Sequence, residues 1–212
     1  MTDVETKYDS LAERWSDDAY ADAARFYRRR ADVVATLGGR LTPGMRILEL
    51  GCADGGLTEI LVGDGFDVEG VDVSSRMIDL ARLRMPDGAR FAVGNLNDYA
   101  PAEPVAATIG FRVLPYVDDL AAFFARAASF STEKILFDLV PSSGPTLEAV
   151  ESALGEAGLG RVEVRPWLLP ARTRIPRGAT AIVSGVERLR PVALAISRRR
   201  FSVVVAAPTR RG

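Results

Sequence analysis

Short apolar runs alternate with amphipathic segments along most of the chain, and this alternation limits the folds that it can adopt. Seven runs have the length and composition of β-strands, at residues 45–50, 66–72, 89–94, 105–110, 133–140, 161–167 and 201–207. Apolar residues at helical spacing predict helices at 57–63, 75–84, 120–130, 146–158 and 186–199, with two more near 3–16 and 20–37. Strands that alternate with helices form a mostly parallel sheet covered on both faces. The pattern therefore predicts an α/β fold.

The residue types that the chain lacks exclude several kinds of catalytic site. The sequence has no histidine and one cysteine, Cys52. A histidine metal site, a Ser-His triad, an imidazole base and an internal disulfide are therefore excluded, and we predict no metal site. No apolar run approaches the roughly 20 residues that span a bilayer. We therefore expect a cytoplasmic protein without integral membrane association, built as a single domain of 212 residues.

The charge is unevenly distributed, although the net charge is only −1. Residues 161–212 contain 12 arginines and two acids, and such a basic segment can attract nucleic acid or another anionic partner. The whole chain has only two lysines, Lys7 and Lys134, so arginine is its usual surface cation. A solvated basic face is therefore the favoured interpretation. Residues 168–185 are long for a connection and are predicted to form a loop with a function.

The segment ILELGCADGG, residues 47–56, places a glycine turn between the first predicted strand and the next helix. Gly51 and Gly55 allow the backbone to bend and to approach a ligand where a Cβ atom would collide. Ligands of open α/β sheets bind beyond the carboxyl ends of the strands. The second strand ends at Asp72, where a carboxylate can accept hydrogen bonds from ribose hydroxyls. Each feature alone is compatible with a simple turn or helix cap, but together they favour nucleotide binding.

The sequence GCADGG is also close to the glycine fingerprint of dinucleotide-binding proteins, so an NAD(P)-binding Rossmann oxidoreductase is an alternative. Glu49 argues against it, because its carboxylate precedes Gly51 by two residues, where a pyrophosphate would meet a negative charge. A cationic or amino-bearing ligand is compatible with that carboxylate. The predicted elements also end with an extra strand after a helix, rather than with a second mononucleotide-binding half, and we expect no separate substrate domain.

The motifs ILELGCADGG, VEGVDVSSRMIDLAR, FAVGNLNDYA and IGFRVLPYVDDL together resemble the class I S-adenosylmethionine-dependent methyltransferases. The resemblance extends over residues 8–140 by motif and to residue 207 by strand count. It implies a Rossmann-like three-layer sandwich whose seven-stranded sheet is mostly parallel, with an antiparallel last strand. It also implies a helical lid at residues 1–40, a cofactor-binding half at 41–140 and an acceptor-side half at 141–212.

The resemblance implies roles in binding the cofactor, S-adenosyl-L-methionine. The implied residues are Arg30, Glu49, Gly51, Ala53, Gly55, Asp72, Val73, Met77, Asn95, Leu96 and Phe111. Among them, Glu49 would lie near the amino group of the methionine moiety and Asp72 would hold the ribose hydroxyls. Met77 would pack on the adenine, and Asn95 would accept a hydrogen bond from the adenine amino group. Ala53 departs from the family pattern, which usually has a glycine at this position.

Arg30 is singled out by helical spacing as well as by the resemblance. It falls between Phe26 and Val33, on an apolar stripe that is predicted to be buried. A buried arginine needs an anionic partner, and relatives use an arginine here for the methionine carboxylate of the cofactor. The alternative is an arginine that reaches solvent from the edge of the stripe.

The expected reaction is methyl transfer to a small-molecule acceptor, with O-methylation of a metabolite, natural product or sugar as the favoured form. The candidate catalytic residues are Tyr116 and Asp138, which could take a proton from an acceptor hydroxyl. Tyr116 stands where many relatives have histidine, and Asp138 is alternatively a cap for the turn that follows it. The residues predicted to contact the acceptor are Tyr8, Trp15, Tyr20, Arg112, Trp167 and Arg172. The aromatic residues near the N-terminus are equally compatible with plain packing.

Two further alternatives use the same fold. A non-catalytic cofactor-binding regulatory domain would bind the cofactor without an acceptor pocket. A nucleic-acid methyltransferase would use the basic C-terminal part, but IGFRVLPY stands where such enzymes carry an N-P-P-Y-type motif. The favoured partners are therefore a small-molecule acceptor and no nucleic acid, with the protein as a monomer or homodimer.

Overall fold

The structure, a computed structural model, describes residues 3–12, 15, 20–140, 143–159, 162–168, 176–187 and 203–208. Its strands are β1 (Arg46–Leu50), β2 (Asp67–Asp72), β3 (Arg90–Val93), β4 (Val105–Gly110), β5 (Ser131–Leu139), β6 (Glu163–Pro166) and β7 (Val203–Pro208). Its helices are α1 (Asp3–Leu11), α2 (Ala23–Thr36), α3 (Gly56–Gly63), α4 (Ser75–Arg84), α5 (Leu120–Phe130), α6 (Leu147–Glu156) and α7 (Arg177–Glu187). A short 3-10 helix, Leu114–Tyr116, follows β4. The predicted Rossmann-like α/β fold is confirmed.

The strands form one sheet in the order β3-β2-β1-β4-β5-β7-β6. The five strands from β3 to β5 pair in parallel, and β7 pairs antiparallel with both β5 and β6. The strand order reverses between β1 and β4, because the chain proceeds outward from β1 in both directions. Ligands of open α/β sheets bind at such a reversal, outside the carboxyl ends of the strands.

Apolar side chains cover both faces of the sheet. Successive residues of a strand point to opposite faces, so Ile47 joins the core under α2 and α3 while Leu48 joins the core under α5 and α6. Phe123 and Phe124 of α5 pack on Phe137 of β5 in the second core. The described helices include none that is both long and apolar enough to cross a membrane.

Helix α2 is fixed at both ends. The Asp22 side chain caps its first turn by accepting a backbone N–H bond. At the other end, the Lys134 ammonium on β5 donates to the carbonyls of Val34, Leu37 and Gly39 at 2.5–2.6 Å. Lys134 is fully buried, and burial lowers the pKa of its ammonium to about 8. Val34 is in the last turn of the helix, Leu37 is its C-cap and Gly39 follows in the next turn, so this lysine ties the C-terminal end of the helix to the sheet.

The C-terminal part departs from the sequence prediction. The functional loop predicted at residues 168–185 is wrong in its second half, because α7 occupies Arg177–Glu187. Pro176 immediately precedes this helix, and its carbonyl accepts the N–H of Ala179 at 3.0 Å. Proline near Gly178 indicates a loop by composition, but proline is also favoured where a helix begins. Most of the helix predicted at residues 186–199 lies outside the described residues.

Candidate active site

A cavity of about 530 Å³ lies at the carboxyl ends of the central strands. Its lining includes these predicted site residues: Tyr8, Trp15, Gly51, Ala53, Asp72, Val73, Asn95, Leu96, Phe111, Arg112 and Tyr116. The other described lining residues are Val4, Val71, Gly94, Asn97, Val113, Pro115, Val117 and Asp118. Cavities that bind small molecules usually measure about 300–1,000 Å³. The cavity therefore has the size and the position of a ligand site.

Asp72 faces the cavity and also fixes the glycine turn. Its Oδ2 accepts the N–H of Ala53 at 3.0 Å, and its Oδ1 accepts the N–H of Ser74 at 3.0 Å. Ala53 has a φ of 49°, a left-handed conformation that a side chain disfavours. Burial raises the pKa of Asp72, and the backbone N–H bonds oppose that shift. Each carboxylate oxygen has a second lone pair, so the side chain can still accept a ligand hydroxyl.

Position 51 needs a glycine because two loops approach each other closely there. A Cβ atom at this position would lie 2.5 Å from Cγ1 of Val113, in the segment after β4. Its φ of 72° is also left-handed. The absence of a side chain therefore lets the turn after β1 and the loop after β4 meet at the base of the cavity.

Gly55 and Met77, both expected to contact the cofactor, are not among the cavity-lining residues. Gly55 is the N-cap of α3, and a Cβ atom there would lie 3.1 Å from Cβ of Ala81 on α4. Met77 has no exposed surface and packs inside the molecule on α4. In the structure, Gly55 allows two helices to pack closely and Met77 is a core residue.

Glu49 lies behind the glycine turn and outside the cavity lining. Its side chain is buried and accepts a hydrogen bond from Thr58 Oγ1 at 2.6 Å. Burial raises the pKa of Glu49 to about 7, while the Thr58 bond and the charge of Arg30 act in the opposite direction. The carboxyl group therefore changes its charge near neutral pH, so a nearby cationic ligand could change its ionisation.

Arg30 is buried as predicted, but its anionic partner belongs to the protein. Its guanidinium donates to Tyr20 Oη at 3.0 Å and lies 3.9 Å from Oδ2 of Asp138. The rings of Phe26 and Phe111 lie 4.9 and 4.4 Å from it. Asp138 lies near the end of β5, the strand next to β4 in the sheet, and from there its carboxylate faces Arg30.

Asp138, a candidate catalytic residue, is not among the cavity-lining residues. Its side chain is 5% exposed, and burial raises the pKa of the carboxyl group against the opposing charge of Arg30. Its Oδ1 accepts the backbone N–H of Arg112, which has a left-handed φ of 61°. The observed contacts of Asp138 are thus those of a residue that shapes the cavity wall.

Asn97 joins two cavity loops, and the sequence analysis missed it. Its Nδ2 donates to the carbonyl of Tyr116 at 3.0 Å, and its Oδ1 accepts the N–H of Asp118 at 3.1 Å. Arg126 on α5 donates to the carbonyls of Leu96 and Asn97, which fixes the same loop from the other side. The only signal in the sequence is a second asparagine two residues after Asn95.

Tyr8 and Tyr116 meet at one wall of the cavity. Their hydroxyl oxygens are 2.8 Å apart, and Lys7 Nζ lies 3.3 Å from the Tyr116 hydroxyl. Trp15 packs edge-on against Tyr8 at 5.6 Å between ring centroids. Burial raises the pKa of Tyr8, and its bond to Tyr116 raises it further. Tyr8 is therefore a hydrogen-bonding hydroxyl at neutral pH rather than a phenolate.

The remaining predicted acceptor contacts lie elsewhere. Tyr20 is 5% exposed and stacks on Phe26 at 4.5 Å, so it is part of the core rather than of the cavity lining. Trp167 is 6% exposed, and its ring lies 5.2 Å from that of Phe26. Both are corrections to the prediction, because α2 covers these rings. Arg172 lies outside the described residues.

A family model described as a methyltransferase domain matches residues 18–143. The chain is 28% identical over 132 residues to a ubiquinone biosynthesis O-methyltransferase from Thiobacillus denitrificans, covering 58% of this chain and 55% of the relative. It is 39% identical over 75 residues to a magnesium-protoporphyrin O-methyltransferase from Rhodobacter capsulatus, covering 34% of this chain and 33% of the relative. The chain thus spans between about a third and about half of the length of the relatives it matches.

The fold is also similar to solved structures. The crystal structure of magnesium protoporphyrin IX methyltransferase from Synechocystis PCC 6803, with bound SAH, aligns with a TM-score of 0.68 at 14% identity. The alignment covers 98% of both chains. This similarity concerns the fold, and the family match over residues 18–143 covers the glycine turn, Asp72 and the loop with Tyr116. The chain therefore belongs to the methyltransferase domain family, among the class I S-adenosylmethionine-dependent methyltransferases.

Proposed function

We propose that the protein transfers the methyl group of S-adenosylmethionine to a hydroxyl oxygen of a small-molecule acceptor. The observation that carries this proposal is the cavity itself, which brings Gly51, Asp72, Asn95 and Tyr116 together at the carboxyl ends of the central strands. The O-methyltransferases among the matched relatives support an oxygen acceptor. The cavity volume supports an acceptor of small size.

The residues present fit the cofactor. The atoms that a Cβ atom would meet at Gly51 and Gly94 belong to the side chains of Val113 and Tyr99, so these two glycines shape the loops around the cavity. Asp72 would accept from the ribose hydroxyls, and Asn95 would accept from the adenine amino group. When bound, S-adenosylmethionine supplies a methyl group that is already activated by the sulfonium charge.

The chain's own residues would position the acceptor and exclude water. Tyr8, Trp15 and Tyr116 would form the acceptor wall, and Phe111 would separate the cavity from the buried Arg30. Tyr116 is proposed to accept a hydrogen bond from the acceptor hydroxyl and so to orient it, because the residue lines the cavity and its oxygen lies within hydrogen-bond distance of Tyr8. The lid at residues 1–40 and the two halves at 41–140 and 141–212 remain predictions.

Titration calorimetry with S-adenosylmethionine and S-adenosylhomocysteine tests the cofactor assignment. We expect both ligands to bind the wild-type protein and Asp72→Ala to weaken both by at least about tenfold, because a carboxylate that accepts ribose hydroxyls is worth about 1.5–3 kcal/mol. Asp79→Ala, on an exposed face of α4, is the matched control and should leave both affinities unchanged. Absence of heat with either ligand in the wild-type protein would contradict the proposal.

Methyl transfer from radiolabelled S-adenosylmethionine to a panel of phenols, catechols and sugars tests the reaction. We expect label in an ether product for at least one acceptor and reduced turnover in Tyr116→Phe. Cofactor binding without transfer to any acceptor class would favour a regulatory domain instead.

A further inference from the structure

Arg112 is the only cation among the described residues that line the cavity. The other charged residues of that lining are Asp72 and Asp118. Within the described part of the chain, no carboxylate forms an ion pair with the Arg112 guanidinium, whereas Arg30 is paired with Asp138. The Asp138 carboxylate is near enough for its charge to act on Arg112, but it lies outside ion-pair distance of the guanidinium. A partly buried guanidinium that no carboxylate contacts favours an anion in the space that it faces.

The backbone of Arg112 holds this side chain in place at a conformational cost. Its φ of 61° is left-handed, a region that side chains rarely adopt outside sites where the surrounding structure enforces it. The enforcing contact is Asp138 Oδ1, which accepts the Arg112 N–H and is itself held beside Arg30. The guanidinium lies 5.2 Å from the centroid of the Tyr20 ring, which supports its planar group from one side.

Arg30 is poorly suited to the role that the sequence gives it. Arg30 is 6% exposed, and its guanidinium lies 4.4 Å from the centroid of the Phe111 ring, which lines the cavity whereas Arg30 does not. One N–H group of its guanidinium already donates a hydrogen bond to Tyr20, and another faces the carboxylate of Asp138. A ligand carboxylate that reached Arg30 would share its guanidinium with the buried carboxylate of Asp138, and two like charges would then lie close together.

We propose that Arg112 is the carboxylate-binding residue of the cavity. The proposal rests on the function proposed above, and it moves the anion-binding role from α2 to the loop after β4. A guanidinium binds a carboxylate through two parallel N–H bonds, so it fixes orientation as well as charge. The carboxylate has two possible sources: the amino-acid end of the cofactor, or an acidic group of the acceptor.

The cofactor source is tested with two ligands that differ in the amino-acid end. S-adenosylhomocysteine carries the carboxylate, and 5′-methylthioadenosine lacks the whole amino-acid part. We expect Arg112→Met to weaken S-adenosylhomocysteine by about ten- to a hundredfold while leaving 5′-methylthioadenosine unchanged. Arg112→Lys should recover part of the loss, because it restores the charge but not the paired N–H groups. Unchanged 5′-methylthioadenosine binding also shows that the variant is folded.

The acceptor source is tested with benzoate and its neutral analogue benzamide, each titrated into protein saturated with S-adenosylhomocysteine. If the acid belongs to the acceptor, the wild-type protein binds benzoate more tightly than benzamide, and Arg112→Met removes that preference without changing S-adenosylhomocysteine affinity. A wild-type protein that binds neither nucleoside ligand contradicts the proposed function, and the benzoate titration of the protein alone then tests Arg112.

Arg30→Met is the control that separates the two arginines. If Arg30→Met removes the preference for a carboxylate while Arg112→Met does not, the proposal is overturned and the sequence-based role of Arg30 stands. The proposal is also overturned if Arg112→Met changes neither the affinity for S-adenosylhomocysteine nor the preference for benzoate over benzamide. A wild-type protein without a benzoate preference counts as the same outcome when the S-adenosylhomocysteine affinity of Arg112→Met is unchanged.

Discussion

At the scale of single residues, Asp72 links the shape of the site to its chemistry. The same carboxylate that faces the cavity accepts the N–H of Ala53 and so stabilises a left-handed conformation at a residue that is not glycine. A residue such as Asp72 is therefore needed before any ligand arrives, which explains how alanine is tolerated at position 53. Preformed geometry of this kind reduces the ordering cost of binding.

Glu49 predicts a pH dependence of cofactor binding. Burial raises the pKa of its carboxyl group to about 7 from an ordinary value of 4.5, so the folded protein retains this proton where the unfolded chain has lost it. The folded pKa lies above the unfolded one, so this group's contribution to stability is present below about pH 4.5 and declines as pH rises through 7. If the ammonium group of the cofactor lies near Glu49, as the family resemblance implies, it favours the ionised carboxylate, and binding then releases a proton.

We therefore expect the affinity for S-adenosylhomocysteine to increase as pH rises through about 7. Calorimetry in buffers of different ionisation enthalpy should detect the released proton. Glu49→Gln should bind more weakly and with little pH dependence over the same range. An identical pH dependence in Glu49→Gln would show that another group carries the effect.

At the scale of elements, the two loops that follow β3 and β4 act as one unit. The Asn97 side chain bonds the backbone on both sides of Val117, and Arg126 donates to the backbone carbonyls of Leu96 and Asn97. Tyr116 and Asn95, which are proposed to contact different ligands, are thus positioned by a shared hydrogen-bond network. Hydrogen bonds of this kind between loops hold the residues that line a cavity in fixed positions.

Asn97→Ala should weaken this unit. We expect a loss of about 0.5–1.5 kcal/mol in the free energy of unfolding, since one half-buried and one exposed backbone group lose their partners, and several-fold weaker S-adenosylhomocysteine binding. Urea unfolding and calorimetry measure the two effects. Ser129→Ala removes an exposed hydroxyl that donates to the Arg126 carbonyl and should change neither. Full cofactor affinity in Asn97→Ala would show that the loops are ordered without this side chain.

At the scale of the whole molecule, Glu187 attaches the C-terminal part to the N-terminal helices. It is 2% exposed, pairs with Arg29 of α2 and accepts the N–H of Leu168 at 2.8 Å. One carboxylate therefore joins the end of α7, the residue after Trp167 and the outer face of α2. Trp167, which directly follows β6, packs in the core against residues of α2.

Glu187→Gln should loosen this attachment. The variant leaves a largely buried guanidinium without its partner, so we expect a loss of about 2 kcal/mol in the free energy of unfolding, against less than about 0.5 kcal/mol for Glu59→Gln. Glu59 is the control because its pair with Arg84, at 3.1 Å, is exposed. Hydrogen exchange should become faster in α7 and in the backbone around Leu168. Equal effects of the two substitutions would contradict a special role for Glu187.

The sequence by itself determined the fold class, the glycine turn and the acid at the end of β2. These features depend on periodicity and on local backbone chemistry, which neighbouring residues decide. It also indicated that Arg30 is buried, because helical spacing places it on the apolar stripe of α2.

Only the tertiary structure decided which residues meet across the cavity. The partner of Arg30 is Asp138, more than a hundred residues away, and the clamp formed by Asn97 depends on the adjacency of two loops. Trp167 and Tyr20 became core residues because they pack against α2, and Arg112 is the cation of the cavity lining among the described residues. Local patterns fix the elements, but burial and ion pairing depend on contacts between elements that are distant in the chain.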